Sequence, residues 1–351
     1  MKLKKLLALV LVCLMALSLA ACNSSDSSSG GGGGSSGGSG SSGGSSGGGS
    51  GSYDFQTSSS WAPSGTVSII VPANAGGNTD LSARVFSKYA GDITGATFIV
   101  VNANGASGSV AANQVLDAAG DGQTFLYGHA LVNVANIAGV TDYNYTAFKL
   151  GPTFAKDPAQ QLYVNPDKYA SLDDFIAAAK AAPGTLKAVT EVGAYTYYEL
   201  LAFEKEAGID LALVDGGSNS EKIAGMLGGQ FDLMPGAYIN CKDYLTAGQF
   251  GVLGVPTAER YDLIPDIPTF VEQGINLIYP DCDFSFYFPP DTSDDVITYY
   301  EDLVQYMHSV PSIAEAIAGV DMMPYYLSAA DSAANEEWMY NYITDIADSL
   351  T

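Results

Sequence analysis

The chain has 351 residues and a formal net charge of -24, from 14 Lys and Arg against 38 Asp and Glu. That length suits about two domains with a sizeable core, while the scarcity of cations excludes phosphate-backbone recognition of nucleic acid and electrostatic docking on anionic lipid. A hydrophobic content of 47% with 14 Phe and 22 Tyr excludes whole-chain disorder.

The front end reads as an export signal. Lys2, Lys4 and Lys5 precede an apolar stretch from Leu6 to Leu19 that is too short to span a bilayer comfortably. It ends in Leu19-Ala20-Ala21-Cys22. Small residues before a Cys resemble the lipobox of bacterial lipoproteins, which implies a signal peptide over residues 1–21 and a membrane anchor through lipidation of Cys22. An ordinary signal peptide cut near Ala21 is the alternative. All 26 residues from Ser27 to Ser52 are Gly or Ser. Such a run buries no apolar surface and reaches about 28 Å as a flexible coil, so residues 22–60 are expected to be a tether. Loss of residues 1–21 removes three Lys and no acid, moving the net charge from -24 to -27. Beyond the anchor only Cys241 and Cys282 remain, which leaves open a disulfide or two separate buried thiols. His129 and His308 are the only histidines and lie far apart, so no metal site is expected.

The remainder alternates strand and helix. Thr66–Val71 is a β-branched strand, followed by a Gly-bearing loop and a helix predicted from Leu81, Val85 and Tyr89, with Asn78 or Thr79 as N-cap. Thr97–Val101 is a second strand, Val110–Ala119 a second helix and Thr124–Gly128 a third strand. Gln161–Val164, Leu186–Val189, Leu211–Val214 and Gln230–Met234 are short strands. Helices follow from Ser171 to Ala182, from about Thr196 to Lys205, and over Ser220–Leu227. After Pro289-Pro290 the pattern is helical over Val296–Met307, Ser312–Ala318 and Ala329–Leu350, with Trp338 read as helix packing. This cadence predicts an open, mostly parallel α/β sheet.

In such sheets ligands sit at the carboxyl ends of strands. The loops 72–80, 102–108 and 190–196 fall there and are glycine-bearing, so their backbones could approach a carboxylate at a helix N-terminus; equally, the glycines could simply make tight turns. None matches a dinucleotide or P-loop signature, no cofactor is expected, and no nucleophile sits in a motif with a His base, so no catalytic residue is assigned.

A family resemblance emerges from the motifs in order. Ser68-Ile69-Ile70-Val71-Pro72, Ala75-Gly76-Gly77, Thr79-Asp80 and Ala83-Arg84 resemble the opening of the tripartite tricarboxylate transporter receptors, the Bug-type extracytoplasmic solute-binding proteins. Val101-Asn102 with Gly105-Ala106 and Gly108, Asp121-Gly122, Gly228-Gly229-Gln230 with Asp232, Ala247-Gly248-Gln249, and Arg260 with Leu263–Phe270 continue the series. The resemblance implies an α/β fold of periplasmic-binding-protein type II: two α/β lobes, a ligand cleft and a hinge crossed twice. The crossings are expected near Leu162–Asn165 and Phe284–Pro290, giving one lobe from 61–163 and 288–351 and the other from 164–287.

It further implies a monomer that captures a small organic carboxylate and delivers it to transmembrane transporter subunits, without enzymatic activity; a ligand-sensing coreceptor for a membrane signalling protein is the alternative. The implied ligand-binding residues are Ala75, Gly76, Gly77, Thr79 and Asp80 in the first-strand loop, with Gly193, Ala194, Tyr195, Thr196 and Tyr198 opposite. Gly105, Ala106, His129 and Asp215 are candidates beside them, although a structural core or edge histidine is the preferred reading of His129. The second loop departs from the family's usual Gly-x-Gly-Ser-x-x-His. Tyr195 or Thr196 stands for the Ser, Tyr198 for the His, and Asp215-Gly216-Gly217 for a Tyr-Lys-Gly. The tyrosines either contact ligand or pack the interlobe surface, and the lost cation points away from a tricarboxylate toward a monocarboxylate or amphipathic ligand.

Overall fold

The computed structural model describes residues 53–158 and 160–349. The expected signal peptide, Cys22 and the Gly/Ser run lie outside them. Among the described residues no helix is long and apolar enough to cross a membrane.

Strands β1 (Thr66–Val71), β2 (Thr97–Asn102) and β3 (Thr124–Gly128) are parallel, and each leads into a helix: α1 (Asn78–Thr94), α2 (Ser109–Leu116) and α3 (Leu131–Ile137). After β4 (Lys149–Asp157) the chain enters a second sheet. Its strands are β5 (Gln161–Val164), β6 (Lys187–Thr190), β7 (Ala212–Asp215), β8 (Leu233–Gly236) and β9 (Gly251–Val252), in the order β7-β6-β8-β5-β9. Between them run α4 (Leu172–Ala181), α5 (Tyr195–Ala207), α6 (Asn219–Leu227) and α7 (Tyr238–Thr246). The chain returns through β10 (Cys282–Phe288), α8 (Asp294–His308), α9 (Pro311–Ala318), β11 (Met323–Leu327) and α10 (Ala329–Asp348), completing a first sheet of order β11-β4-β10-β3-β1-β2.

Both sheets are mixed rather than mostly parallel. β5 runs antiparallel to β8 and β9, and β10 antiparallel to β3 and β4. These two strands arrive from the other sheet and not over a βαβ crossover, the connection that enforces parallel pairing. The chain therefore crosses between Asp157 and Gln161 and again between Val252 and Cys282. Both expected crossings are displaced: Leu162–Asn165 begins within β5, and Phe284–Pro290 begins within β10. Pro289-Pro290, the end of the second expected crossing, directly follows a central strand whose seven residues are all buried.

β4 escapes the sequence pattern because Gly151 and Pro152 argue against a central strand. They are accommodated where the β4–β10 register slips, between the Thr153–Ser285 and Leu150–Tyr287 pairs. In β10, Phe284, Phe286 and Phe288 alternate with Asp283, Ser285 and Tyr287. The phenylalanines join an aromatic core with Phe86, Phe125 and Tyr300, Phe125 stacking on Phe286 at 4.7 Å. The other set meets α10, where Tyr287 Oη donates to Glu336 at 2.6 Å and Ser285 bonds Ser332.

Two local expectations change. Leu81, Val85 and Tyr89 of α1 are only half-buried, and the buried stripe runs one position round through Ala83, Phe86 and Ala90. Residues 53–60, assigned to the tether, lie along α8: Phe55 contacts Tyr299 and Tyr306, while Thr57 Oγ1 donates to Asp302 at 2.8 Å. Cys241 and Cys282 are free, buried thiols.

Candidate functional site

The loop from β1 to α1 is braced from below. Gly76 N–H donates to Asp80 Oδ2 at 2.9 Å, Arg84 pairs bidentately with the same carboxylate at 2.9 Å, and Asn102 Nδ2 donates to Asp80 Oδ1 at 2.9 Å and to Ala73 O at 3.0 Å. Burial alone would raise the Asp80 carboxyl; these donors, led by Arg84, outweigh it and hold it below the usual range. Asp80 and Arg84 thus shape the loop. Ala75 and Gly76 are exposed at its tip, Gly77 is half-buried, and Gly76 takes a left-handed φ of 88°. Gly77, not Asn78 or Thr79, is the N-cap of α1, and no side chain caps that end. Thr79 is buried inside the first turn, where its N–H donates to Asn78 Oδ1 at 2.9 Å, and Asn78 Nδ2 donates to Asp157 at 3.0 Å.

The loop from β6 to α5 is held by rings. Tyr195 packs edge-on against Tyr279 at 4.9 Å and against His129 at 5.4 Å, and its hydroxyl donates to Pro280 O. Tyr279 Oη donates back to Tyr195 O at 3.0 Å. Thr196 bonds Thr190 through their hydroxyls at 2.7 Å, and Tyr198 is buried in the shared core. Both tyrosines of the altered motif therefore pack. Gly193, with φ 77°, comes so near the first-sheet segment after α3 that an added Cβ would stand 3.2 Å from Ala138 Cβ. Ala194 is the N-cap of α5, again without a side-chain cap.

The flanking candidates divide. Gly105 and Ala106 lie in a loop with positive φ at four successive positions, Gly105 to Gly108, a strained path packed against Pro72 and Leu131. His129 follows β3 with its Nδ1 sealed and unpartnered; burial lowers it to about 4, so it is neutral. Asp215 is exposed and accepts from Gly217 N–H at 3.1 Å.

Three charged groups near this junction lie outside the predicted set. Lys222 of α6 is buried beside Glu191 and Asp215; burial lowers it while both acids favour its charge. It returns a cation to the end of the second sheet where the motif had lost one. Its only sequence signal is its place in the first turns of a helix opened by a Ser218–Glu221 capping box. Asp157, at the first crossing, is pushed up to about 7 chiefly by burial, and Glu199, buried four residues beyond Tyr195, is pushed well above its ordinary range by burial and then by Asp157. Neither oxygen of Glu199 has a hydrogen-bond partner; the backbone N–H of Gln160 favours its charged form too weakly to offset burial. Burial thus favours the neutral form of both carboxyls, Glu199 the more strongly, and in that form they repel an anion much less than carboxylates would.

The family model for the tripartite tricarboxylate transporter family receptor matches residues 82–337. The chain belongs to that family. This receptor is 27% identical over 281 residues to the protein of the gbd 5′ region of Cupriavidus necator, covering 77% of this chain and 83% of that protein. To the Bordetella pertussis protein BugT it is 24% identical over 271 residues, 75% of this chain and 82% of that one. Among solved structures, MatC from Rhodopseudomonas palustris with bound malate superposes with a TM-score of 0.73 at 20% identity, covering 82% of this chain and all of that one (100%). A second R. palustris protein, solved with adipate, gives 0.74 at 22% identity, with 82% and 98% covered. These likenesses establish the receptor's fold as the periplasmic-binding-protein type. The family is one of extracytoplasmic, substrate-binding receptors rather than enzymes.

Proposed function

We propose that this receptor captures a small carboxylate-bearing solute between its two sheets and delivers it to the membrane subunits of a tripartite tricarboxylate-type transporter, with a lipid on Cys22 and the Gly/Ser tether keeping it at the membrane. The observation that carries this reading is the pair of glycine-bearing strand-to-helix loops, 72–77 and 191–194, each opening a helix that no side chain caps. Such ends offer N–H groups and the positive end of a helix dipole, which suits anion binding by a chain with few cations. The malate- and adipate-bound neighbours favour a carboxylate ligand. Lys222, with two acids beside it, fits a mono- or dicarboxylate better than a tricarboxylate. Calorimetry of the exported protein against acetate, malate, adipate and citrate tests the reading. Binding by malate or adipate that is lost in folded Gly77→Val supports it, and no binding of any of the four by the native protein sinks it. For the anchor, Cys22→Ala should move the protein from the membrane to the soluble exported fraction; unchanged retention would refute it.

A further inference from the structure

Where the chain crosses between its sheets, β4 and β10 present two faces. Asp157 pairs in register with Cys282, and the adjacent pair is Lys156 with Asp283. Because side chains alternate across a strand, the Asp157 pair lies toward Asn78 and Glu199 while the Lys156 pair lies on the opposite face. That opposite face holds a cavity of about 410 Å³, a size suited to a small organic molecule. None of the predicted carboxylate-binding residues lines it, although Tyr279 and Pro280, which hold the Tyr195 loop, do. Its walls come from both crossings, from the segment 257–262, from β11 and from α10.

Both cations in the cavity already have acidic partners. Lys156 Nζ pairs with Asp281 at 2.9 Å and lies 4.6 Å over the Tyr325 ring, and Arg260 pairs with Glu272 and donates to Pro265 O. Glu259, Asp262 and Asp283 leave an excess of acid. Asp283 is only 5% exposed. Its Oδ2 accepts from Asn335 Nδ2 at 2.8 Å, but Oδ1 is sealed without a hydrogen-bond partner, an arrangement that burial makes unfavourable. Burial and the nearby Asp281 push this carboxyl up to about 7. On the apolar side, Trp338 is 50% exposed and Ile278 43%. Trp338 packs on one side only: it sits on α10 with its ring tilted against Tyr342 at 5.9 Å, and its exposed side lines the cavity.

We infer that this cavity is a second ligand site, for an organic ammonium ion with an apolar or aromatic body. The ammonium group pairs with the carboxylate of Asp283, which turns to free the sealed Oδ1 toward the cavity, and the body lies against Trp338 and Ile278, where a ring face also attracts a cation. A carboxylate is repelled by the surrounding acids, so this site and the cleft take different ligands.

The test titrates the full exported protein with phenethylammonium and with 2-phenylethanol, its neutral counterpart, by calorimetry and by tryptophan fluorescence. The sequence has two Trp, and Trp61 is packed against Tyr299 and Tyr300. The expected result is saturable binding of the ammonium, at least about ten-fold tighter than of the alcohol. Asp283→Asn should abolish that preference while leaving binding of the alcohol and of the cleft carboxylate unchanged. Should Asp283→Asn fail to fold, Trp338→Ala at an exposed position should weaken both probes by calorimetry. Absence of saturable binding, equal affinity for the two probes, wild-type preference in folded Asp283→Asn, or undiminished binding in Trp338→Ala would each overturn the inference.

Discussion

The loops that open α1 and α5 have the same geometry and opposite supports. The first is braced by charge: one carboxylate, Asp80, gathers a backbone N–H from the loop itself, a guanidinium from α1 and an amide from the end of β2, all within one sheet and its helix. The second is braced by aromatic rings, and its fasteners come from elsewhere, Tyr279 and Pro280 on the returning crossing and His129 after β3. A loop held within its own sheet keeps its shape however the two sheets stand. A loop fastened to the crossing is coupled to it. The comparison assigns rigidity to the first loop and sensitivity to hinge geometry to the second.

The largest expected effect is at Tyr195. Tyr195→Ala removes a buried ring and should lower stability by about 3–5 kcal/mol in denaturant unfolding. Tyr195→Phe keeps both ring contacts, loses the bond to Pro280 O, and should lose about 1 kcal/mol. Equal losses for the two would mean that the hydroxyl, not the ring, holds the loop. Next comes Asp80→Ala, expected to lose about 2–3 kcal/mol at pH 7, since it strands a half-exposed Arg84 and the Gly76 N–H. Asp80 is depressed in the folded state, so its contribution is present above the unfolded value near 4 and fades as pH falls through the lower folded value. The gap between wild type and Asp80→Ala should therefore narrow at pH 3, and a constant gap would show that the carboxylate's charge is not what matters.

Asp157 has the opposite sign. Its carboxyl is raised to about 7, as are those of Asp283 and Glu336, so the folded protein binds more protons than the unfolded chain between about pH 4 and 7. Stability should fall as pH rises through that window, by a few °C in Tm, and Asp157→Asn should flatten the slope. A thermal profile in which Asp157→Asn keeps the wild-type slope would remove Asp157 from this account. The smallest effects separate the adjacent glycines. Gly76→Ala must place a Cβ at φ 88° and should lose about 1 kcal/mol, although nothing crowds it. Gly77→Ala, at φ -78° with its nearest neighbour 3.7 Å away, should be close to neutral. Matching denaturation midpoints for the two would place the backbone requirement elsewhere.

The site was unevenly legible. The glycine loop of residues 72–80 is contiguous and its brace is local, with Arg84 four residues from Asp80, so its nature could be read from the chain. The role of Tyr195 could not, because its partner Pro280 is 85 residues away. Lys222 was invisible as a site residue for the same reason: a lysine in a helix reads as solvated until the fold sets Glu191 and Asp215 beside it and buries its stem.

The strand–loop–helix cadence, the family motifs and the glycine loops at strand ends are properties of short segments, set by side-chain periodicity and backbone freedom, and the sequence by itself determined them. Only the tertiary structure decided that β4 and β10 are central strands, because a Gly-Pro step and a run of aromatics acquire meaning only through register with a distant partner. It also decided where the chain crosses between sheets, and that neighbouring residues such as Asp157 and Lys156 face opposite sides of the hinge strand. Burial and pairing belong to contacts between sequence-distant segments, and these two residues owe their different surroundings to such contacts alone.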